Sequence, residues 1–507
     1  MFSLAPDRRT ALFAGMNVLF MAFVAVGCAV GGGANPRVAY LLLLFPLCTV
    51  ALLYLDSLNG RYSLLAIFSA AYFVMYGMAD VAALLGGTTS TAAASILSPP
   101  ELVILVGGAT LIVAYRCMVA LADSSAPGAP PRDWSFAVVM LVGAVMWAIG
   151  TYATYQWFVH IVTDTTNEAV RHGLQTYGML DVSISILAQM MQPLGILLIG
   201  YGWRKQRSRA LLIPVLAMVA LQVALGFVAD VKGLAMLAGV LMIMTIVLVD
   251  AKIPKWWLLG ALVFVIVVFP IFQAYRTEIH GNRGIARTAV VQNLGKIFAL
   301  TLSAEDRVNS GLDRAQTFWE RSSLLGSVDM IVTKTGNGVA YQQGHTLTPL
   351  IATFIPKILW PDKPDVATGQ LVNHEFHVTD GDDVYISPST LGELYWNFGW
   401  TGVIGGMCLI GGILGFVGSR FNLADATTVT RFLVTVITIK QVIMGFEGVI
   451  GATYVVWLRS LAGVGLLHAL FARIPVPRRN TTPLRRGTDA TPGAAVGQIK
   501  PFPNLLN

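Results

Sequence analysis

Charged side chains are scarce in this chain of 507 residues, where Asp, Glu, Lys and Arg together make up only 12%. Soluble globular proteins carry about 25%. Hydrophobic residues reach 55%, and the mean hydropathy is +0.67. These values exclude a water-soluble enzyme, a disordered protein and a coiled coil. The composition is that of a protein embedded in a lipid bilayer.

Cysteine is also scarce, and all four cysteines lie inside apolar segments: Cys28, Cys48, Cys117 and Cys408. This placement excludes a disulfide framework and a zinc site built on cysteine. The sequence has no phosphate-binding glycine loop, metal motif or nucleophile elbow. We therefore expect no metal ion and no cofactor.

Long apolar segments are abundant instead. A hydrocarbon core about 30 Å thick is crossed by a helix of about 20 apolar residues. Scanning for such segments predicts an all-α polytopic membrane protein with about twelve transmembrane helices. The predicted helices cover residues 11–31, 38–55, 63–85, 101–121, 135–157, 180–202, 210–229, 233–249, 254–274, 394–418, 429–446 and 451–471.

The basic residues predict the orientation of these helices, because short loops rich in Lys and Arg stay in the cytoplasm. The decisive loop runs from Arg204 to Arg209, between predicted helices six and seven. Counting alternately from it places the other basic clusters and both termini on the cytoplasmic side. The formal charge of +7 is therefore a signal of topology, and no nucleic-acid partner is expected.

This topology divides the chain into four parts: helices one to nine in residues 1–274, a large outer loop in 275–392, helices ten to twelve in 393–472, and a disordered basic cytoplasmic tail in 473–507. Within the loop, periodicity predicts an amphipathic helix over residues 303–322. A second, shorter helix is predicted to begin near Thr346 and to lead into a segment at the membrane surface.

Three basic residues lie where a membrane protein normally avoids them. Lys232 and Arg276 lie at predicted outer helix ends, and Arg459 lies within predicted helix twelve. A lipid that carries a diphosphate would explain the two at the outer ends, because Arg and Lys bind phosphate oxygens, and Arg459 would face an external cavity. An ordinary interfacial anchor remains the alternative for Arg276, and a role in helix packing remains the alternative for Arg459.

The densest polar stretch precedes predicted helix ten. Three prolines within residues 356–364 predict a stiff turn that presents Lys357 and Lys363. Further on, Glu393 and Asn397 share one helix face at i, i+4.

Two residues of the outer loop and helix ten are candidate proton acceptors. Glu393 is a carboxylate at a predicted outer mouth, and His345 carries an imidazole, the group that most often serves as a general base. A capping box beginning at Thr390 is the alternative role for Glu393, and a solvated surface position is the alternative for His345.

A family resemblance is carried by Ile355-Pro356-Lys357 with Trp360-Pro361-Asp362-Lys363-Pro364, and then by Ser387 with Gly392-Glu393-Leu394-Tyr395-Trp396-Asn397-Phe398-Gly399. This pattern lies in a large outer loop and continues into one of the last of twelve predicted helices. In this setting it resembles the O-antigen polymerase (Wzy-type) or oligosaccharide repeat-unit polymerase family. The motif covers residues 355–402, and the topology extends the likeness over nearly the whole chain.

The resemblance implies a GT-C-like fold in the bacterial inner membrane and a glycosyltransferase that acts on the periplasmic side. Such enzymes polymerise repeat units linked to undecaprenyl diphosphate into O-antigen, capsule or exopolysaccharide, alongside flippase and chain-length regulator proteins. An O-antigen ligase-type transferase and a transporter or flippase of lipid-linked oligosaccharides stay open as alternatives.

The same resemblance implies roles for individual residues. Glu393 or His345 would accept the proton of the attacking hydroxyl. The diphosphate would be stabilised by basic residues, namely Arg276, Lys232, Lys357, Lys363 and Arg459. Trp360, Tyr395 and Asn397 would contact the substrate, although anchoring at the membrane surface explains the two aromatic rings equally well.

Overall fold

The computed structural model describes residues 6–30, 37–54, 64–86, 97–123, 133–157, 179–228, 232–250, 256, 259–260, 323–352, 355, 360, 368–378, 386–420 and 428–472. Within these ranges the chain is helical and contains no β-strand. The first nine helices are α1 (Pro6–Val30), α2 (Val38–Thr49), α3 (Leu64–Tyr76), α4 (Met78–Gly86), α5 (Pro99–Asp123), α6 (Phe136–Tyr155), α7 (Met179–Gln206), α8 (Leu212–Val228) and α9 (Lys232–Asp250). The remaining six are α10 (Leu325–Lys334), α11 (Thr348–Ala352), α12 (Thr368–Phe376), α13 (Ser389–Arg420), α14 (Val429–Thr438) and α15 (Ile450–Phe471).

Among the described residues, nine helical segments are long and apolar enough to cross a membrane, and α2 and α3 are shorter apolar helices. This confirms a multi-pass membrane protein built of helices. Nine of the twelve predicted helices coincide with these segments, whereas predicted helix 38–55 is found as the shorter α2 and predicted helix 63–85 is divided at Gly77 into α3 and α4. Predicted helix nine, residues 254–274, falls almost entirely outside the described residues, as do the predicted amphipathic helix 303–322 and the tail 473–507.

Glycine lets the long helices approach closely where no side chain separates their backbones. A Cβ at Gly150 of α6 would lie 2.2 Å from the backbone nitrogen of Gln192 in α7. A Cβ at Gly411 of α13 would lie 2.4 Å from the carbonyl oxygen of Leu111 in α5. Such contacts between small residues and backbone are the usual basis of helix packing in membranes, where burying apolar surface contributes little.

Polar contacts bring several helix ends together at one end of the bundle, here called the basic end. Arg204 of α7 pairs with Asp250 of α9. The Asp133 carboxylate before α6 accepts a hydrogen bond from Val429 N at 3.1 Å, which satisfies one of the free backbone donors at the start of α14. The opposite end, where α13 begins at Ser389 and α15 begins at Ile450, is called the site end.

Helix α13 is broken at Gly399, where the backbone adopts φ 60° and ψ −141°. A Cβ at Gly107 of α5 would lie 2.6 Å from Leu391 Cδ2 and 3.5 Å from Val403 Cγ1. In an unbroken helix, residues twelve positions apart are separated by about 18 Å. The first part of α13, before Gly399, therefore folds back against the second.

This break corrects the prediction of one continuous helix over residues 394–418. The second part of α13 extends from the break to Arg420 and is long enough to cross the hydrocarbon core by itself. The first part is a short helix that lies on the site end of the bundle. Close approach of the two parts requires glycine at position 402, where a Cβ would lie 2.2 Å from the carbonyl oxygen of Leu394.

The described part of the predicted outer loop packs onto this same end. The short helix predicted from Thr346 is present as a 3-10 turn, His345–Leu347, followed by α11. Helix α10 was not predicted; its buried Val328 and Ile331 pack against the bundle, and Ile331 Cδ1 would lie 2.8 Å from a Cβ at Gly392. The outer loop is therefore partly a structured layer on the site end.

We predict that Gly399→Ala destabilises the protein by about 1–3 kcal/mol, because a side chain at this φ and ψ is strained. Gly405→Ala is the matched control. A Cβ at Gly405 meets nothing within 4 Å, and alanine favours the helix by about 1 kcal/mol. Thermal unfolding in detergent should show a lower midpoint for the first variant only, and equal midpoints would contradict a strained break.

Candidate functional site

The loop before α11 closes the break in α13 through backbone hydrogen bonds. Gln342 N donates to the carbonyl oxygen of Trp396 at 3.0 Å, and Gln343 N donates to that of Asn397 at 3.1 Å. These carbonyls belong to the last turn before Gly399, where a helix end leaves its acceptors without helical donors. The loop therefore takes the place of the missing helical turn.

Asn397 joins the loop to the helix with its side chain. Its Oδ1 accepts a hydrogen bond from Gly344 N at 2.9 Å. Its Nδ2 donates to Thr346 Oγ1 at 2.7 Å and to the carbonyl oxygen of Glu393 at 2.7 Å. The side chain is 1% exposed, so water does not compete for these bonds. Asn397 thus holds residues 344–346 in one position.

Glu393 caps a helix, although not the one predicted. Its carboxylate is fully buried, and Oε2 accepts a hydrogen bond from Ile450 N, in the first turn of α15, at 2.7 Å. The first turn of α13 is capped instead by Ser389, whose hydroxyl accepts from Gly392 N at 3.2 Å. A carboxylate at a helix start is stabilised by the helix dipole and by its free N–H groups. Glu393 therefore joins α13 to α15.

Aromatic rings surround the break at Gly399. Tyr395 lies between Tyr341 and Trp400, with ring centroids 6.5 Å and 6.2 Å away. Tyr341 and Trp400 are each about two-fifths exposed, whereas Tyr395 is largely covered. Trp396 is fully buried and donates from Nε1 to the carbonyl oxygen of Ala340 at 3.2 Å. The exposed rings of this cluster are therefore Tyr341 and Trp400.

His345 lies on the surface of the loop that Asn397 holds. Two residues later, Leu347 lines one end of an apolar groove between the second part of α13 and α15, where the cavity measures about 660 Å³. Phe398 lines the same end, and its ring would be 3.0 Å from a Cβ at Gly344. His345 is therefore two residues along the chain from the mouth of this groove, here called the α13–α15 groove.

The predicted basic residues are not all brought together in the described part of the chain. Arg459 is partly buried in α15, about 14 Å along the helix from Ile450 at 1.5 Å per residue. Lys232 begins α9, and because α9 ends at the basic end, Lys232 lies toward the site end. Trp360 is 37% exposed. Three predicted residues lie outside the described ranges, namely Arg276, Lys357 and Lys363.

The structure thus groups His345, Glu393, Tyr395 and Asn397 at the site end. The sequence alone does not reveal their partners, namely Thr346, the backbone of residues 342–344 and Ile450. Local patterns carry no signal for these contacts, because the hydrogen bonds join residues 51 to 57 positions apart. Only the glycine after Phe398 gave a local hint of a break.

Comparisons of this chain with protein-family models, with curated proteins and with solved structures found no match.

We predict that Asn397→Ala destabilises the protein by about 2–3 kcal/mol, because three hydrogen bonds of about 1 kcal/mol each are lost from a buried position. Asn337→Ala is the matched control, since Asn337 is exposed and should change stability by less than about 0.5 kcal/mol. Thermal unfolding in detergent measures both. Equal stability of the two variants would show that Asn397 does not hold the loop.

Proposed function

We propose that this protein is a membrane glycosyltransferase that polymerises oligosaccharide repeat units linked to undecaprenyl diphosphate. In this proposal it lies in the bacterial inner membrane with a GT-C-like fold, and its site end faces the periplasm. The product is a surface polysaccharide such as O-antigen, capsule or exopolysaccharide.

One observation carries the proposal. The continuous part of the polymerase-like motif that the structure describes, residues 392–399, belongs to the folded-back part of α13, where Asn397 bonds to both sides of His345 in the chain. This structure lies at the mouth of an apolar groove. A reaction between a water-soluble sugar and a lipid diphosphate needs such a boundary between polar and apolar surroundings.

The proposed reaction is a displacement at the anomeric carbon of the donor. A hydroxyl oxygen of the acceptor forms the new glycosidic bond while the bond from the anomeric carbon to the diphosphate breaks. The lipid diphosphate leaves with the electron pair, and the hydroxyl proton passes to a base on the protein. Positioned cations stabilise the charge that develops on the leaving diphosphate.

His345 is the proposed base, because it is exposed and lies two residues from Leu347 at the groove mouth. Glu393, the other candidate, has a carboxylate that is fully buried and bonded to Ile450 N. We therefore assign Glu393 a positioning role that fixes the start of α15 against α13. Arg276, Lys232, Lys357 and Lys363 remain the proposed cations for the diphosphate, whereas Arg459 lies about 14 Å along α15 from Ile450, too far from the groove mouth, and is assigned to helix packing.

The rings near the break are the proposed contacts for sugars. Tyr341 and Trp400 expose aromatic surface on both sides of Tyr395, and such rings stack on the apolar faces of sugars. Trp360 and Asn397 belong to the same proposed substrate surface, with Asn397 acting through the loop that it holds.

We predict that cells lacking this gene contain only single repeat units, and that the wild-type gene restores a ladder of long chains on a gel. His345→Ala should reduce the ladder by about a hundredfold or more, the usual contribution of a general base. Arg276→Ala should also reduce it, because a cation beside the leaving diphosphate is lost. His374→Ala is the matched control, since the side chain of His374 is 75% exposed elsewhere on the surface.

Each other outcome of this experiment contradicts part of the proposal. Long chains that persist in the deletion strain but remain unattached would favour a ligase. Repeat units that accumulate on the cytoplasmic side would favour a flippase. A full ladder with His345→Ala would exclude His345 as the base.

We predict that Glu393→Gln keeps the ladder within about twofold of wild type, because the amide oxygen still accepts from Ile450 N. Glu393→Ala should instead destabilise the protein by about 1–3 kcal/mol, since Ile450 N loses its buried partner. Ladder length and thermal unfolding measure the two effects separately. Loss of the ladder in a stably folded Glu393→Gln variant would make Glu393 the base.

A further inference from the structure

The α13–α15 groove continues far beyond its mouth. A second cavity of about 860 Å³ follows the first toward the basic end. Leu409, Ile413 and Trp457 line both cavities, so the two adjoin, and together they are called the α13–α15 groove. Its lining is almost entirely apolar along this whole path.

The groove crosses nearly the full thickness of a membrane. Along α15 its lining runs from Ile450 to His468, which at 1.5 Å per residue is about 27 Å. The hydrocarbon core of a bilayer is about 30 Å thick, and the chains of a lipid in one leaflet occupy only half of it. At the far end, Thr430 Oγ1 and His468 Nδ1 form a hydrogen bond of 2.8 Å.

Glycine keeps the groove open. Gly405 of α13 and Gly465 of α15 both line it, and a Cβ at either position would meet nothing within 4 Å. Other glycines of α13 have a different environment, since a Cβ at Gly415 would lie 2.6 Å from the carbonyl oxygen of Tyr115. One face of α13 thus packs tightly on α5, while another borders open space.

We propose that the α13–α15 groove holds the polyprenyl tail of the lipid-linked substrate, with the diphosphate at the mouth formed by Leu347 and Phe398. This inference rests on the proposed function, which supplies a lipid whose head reacts beside His345. A single chain that begins at the site end and reaches the basic end must cross both leaflets. A polyprenyl chain meets this requirement, and the acyl chain of a phospholipid in one leaflet does not.

The tail in the groove would also orient the reaction. An apolar chain held along two helices fixes the direction from which its diphosphate approaches the site end. Because the surrounding lipid is as apolar as the groove, the groove contributes shape and position rather than affinity.

Photochemical labelling of the purified full-length protein in nanodiscs tests this inference. The probe is undecaprenyl diphosphate with a diazirine on its last isoprene unit. We expect labelled peptides from the basic-end part of the groove, around Val464 to His468 and Phe416. A farnesyl diphosphate probe of the same design should label the mouth instead, near Leu347 and Phe398.

Filling the groove should prevent labelling. Gly405→Leu and Gly465→Leu each place a side chain in the path of the tail, and each should reduce labelling by about tenfold. Gly15→Leu is the matched control, because Gly15 is also an exposed helical glycine with nothing within 4 Å and does not line the groove. Unchanged unfolding midpoints would confirm that all three variants are folded.

The outcomes separate this inference from the proposed function. Labelling that is unaffected by both leucines, or equal labelling by a diazirine phosphatidylethanolamine, would overturn the groove as a polyprenyl site. A full glycan ladder with Gly405→Leu and Gly465→Leu combined would also overturn it, while leaving the polymerase proposal intact. If the protein is labelled specifically but deletion of its gene leaves the ladder unchanged, the groove remains a polyprenyl site and the proposed polymerase function is wrong.

Discussion

A helix that breaks inside a membrane protein leaves backbone carbonyls that lipid cannot satisfy, and the site depends on how this chain meets that requirement. The break at Gly399 exposes the last carbonyls of the first part of α13. The loop at residues 342–344 supplies the missing donors from its own backbone, and Asn397 adds its side chain. The hydrogen bonds that satisfy these carbonyls therefore also fix the loop that carries His345.

The folded-back part of α13 also connects the remaining elements of the site end. Glu393 extends from it to the first turn of α15, and Gly392 lies against Ile331 of α10. Trp396 is buried under the loop and contacts Phe376 of α12, with ring centroids 5.1 Å apart. This short helix of ten residues thus contacts α10, α12 and α15, and its position determines where they lie.

Glycine serves two opposite purposes in the second part of α13. Toward α5 it brings two backbones together, because lipid offers no advantage to larger apolar side chains there. Toward α15 it leaves a groove that runs from the site end to the basic end. In our proposals, polar chemistry occupies the site end and an apolar tail occupies this groove, so one helix serves both.

The sequence pattern located most of the long helices, because the length of an apolar segment is a local property that the bilayer imposes directly. It also identified Glu393 and Asn397 as neighbours, since i, i+4 spacing on a helix is local. It failed for helix ten. An apolar sequence with Gly399 inside it is compatible with a straight helix or a broken one, and the choice depends on donors that lie more than fifty residues away.

The sequence by itself determined that this is a helical membrane protein, where most of its long helices lie and which residue types collect around residues 387–402. Only the tertiary structure decided which helix Glu393 caps, what Asn397 binds and where the groove runs. The physical reason is that burial of apolar segments is additive along the chain, whereas hydrogen bonds and open space between helices exist only after distant segments have packed together.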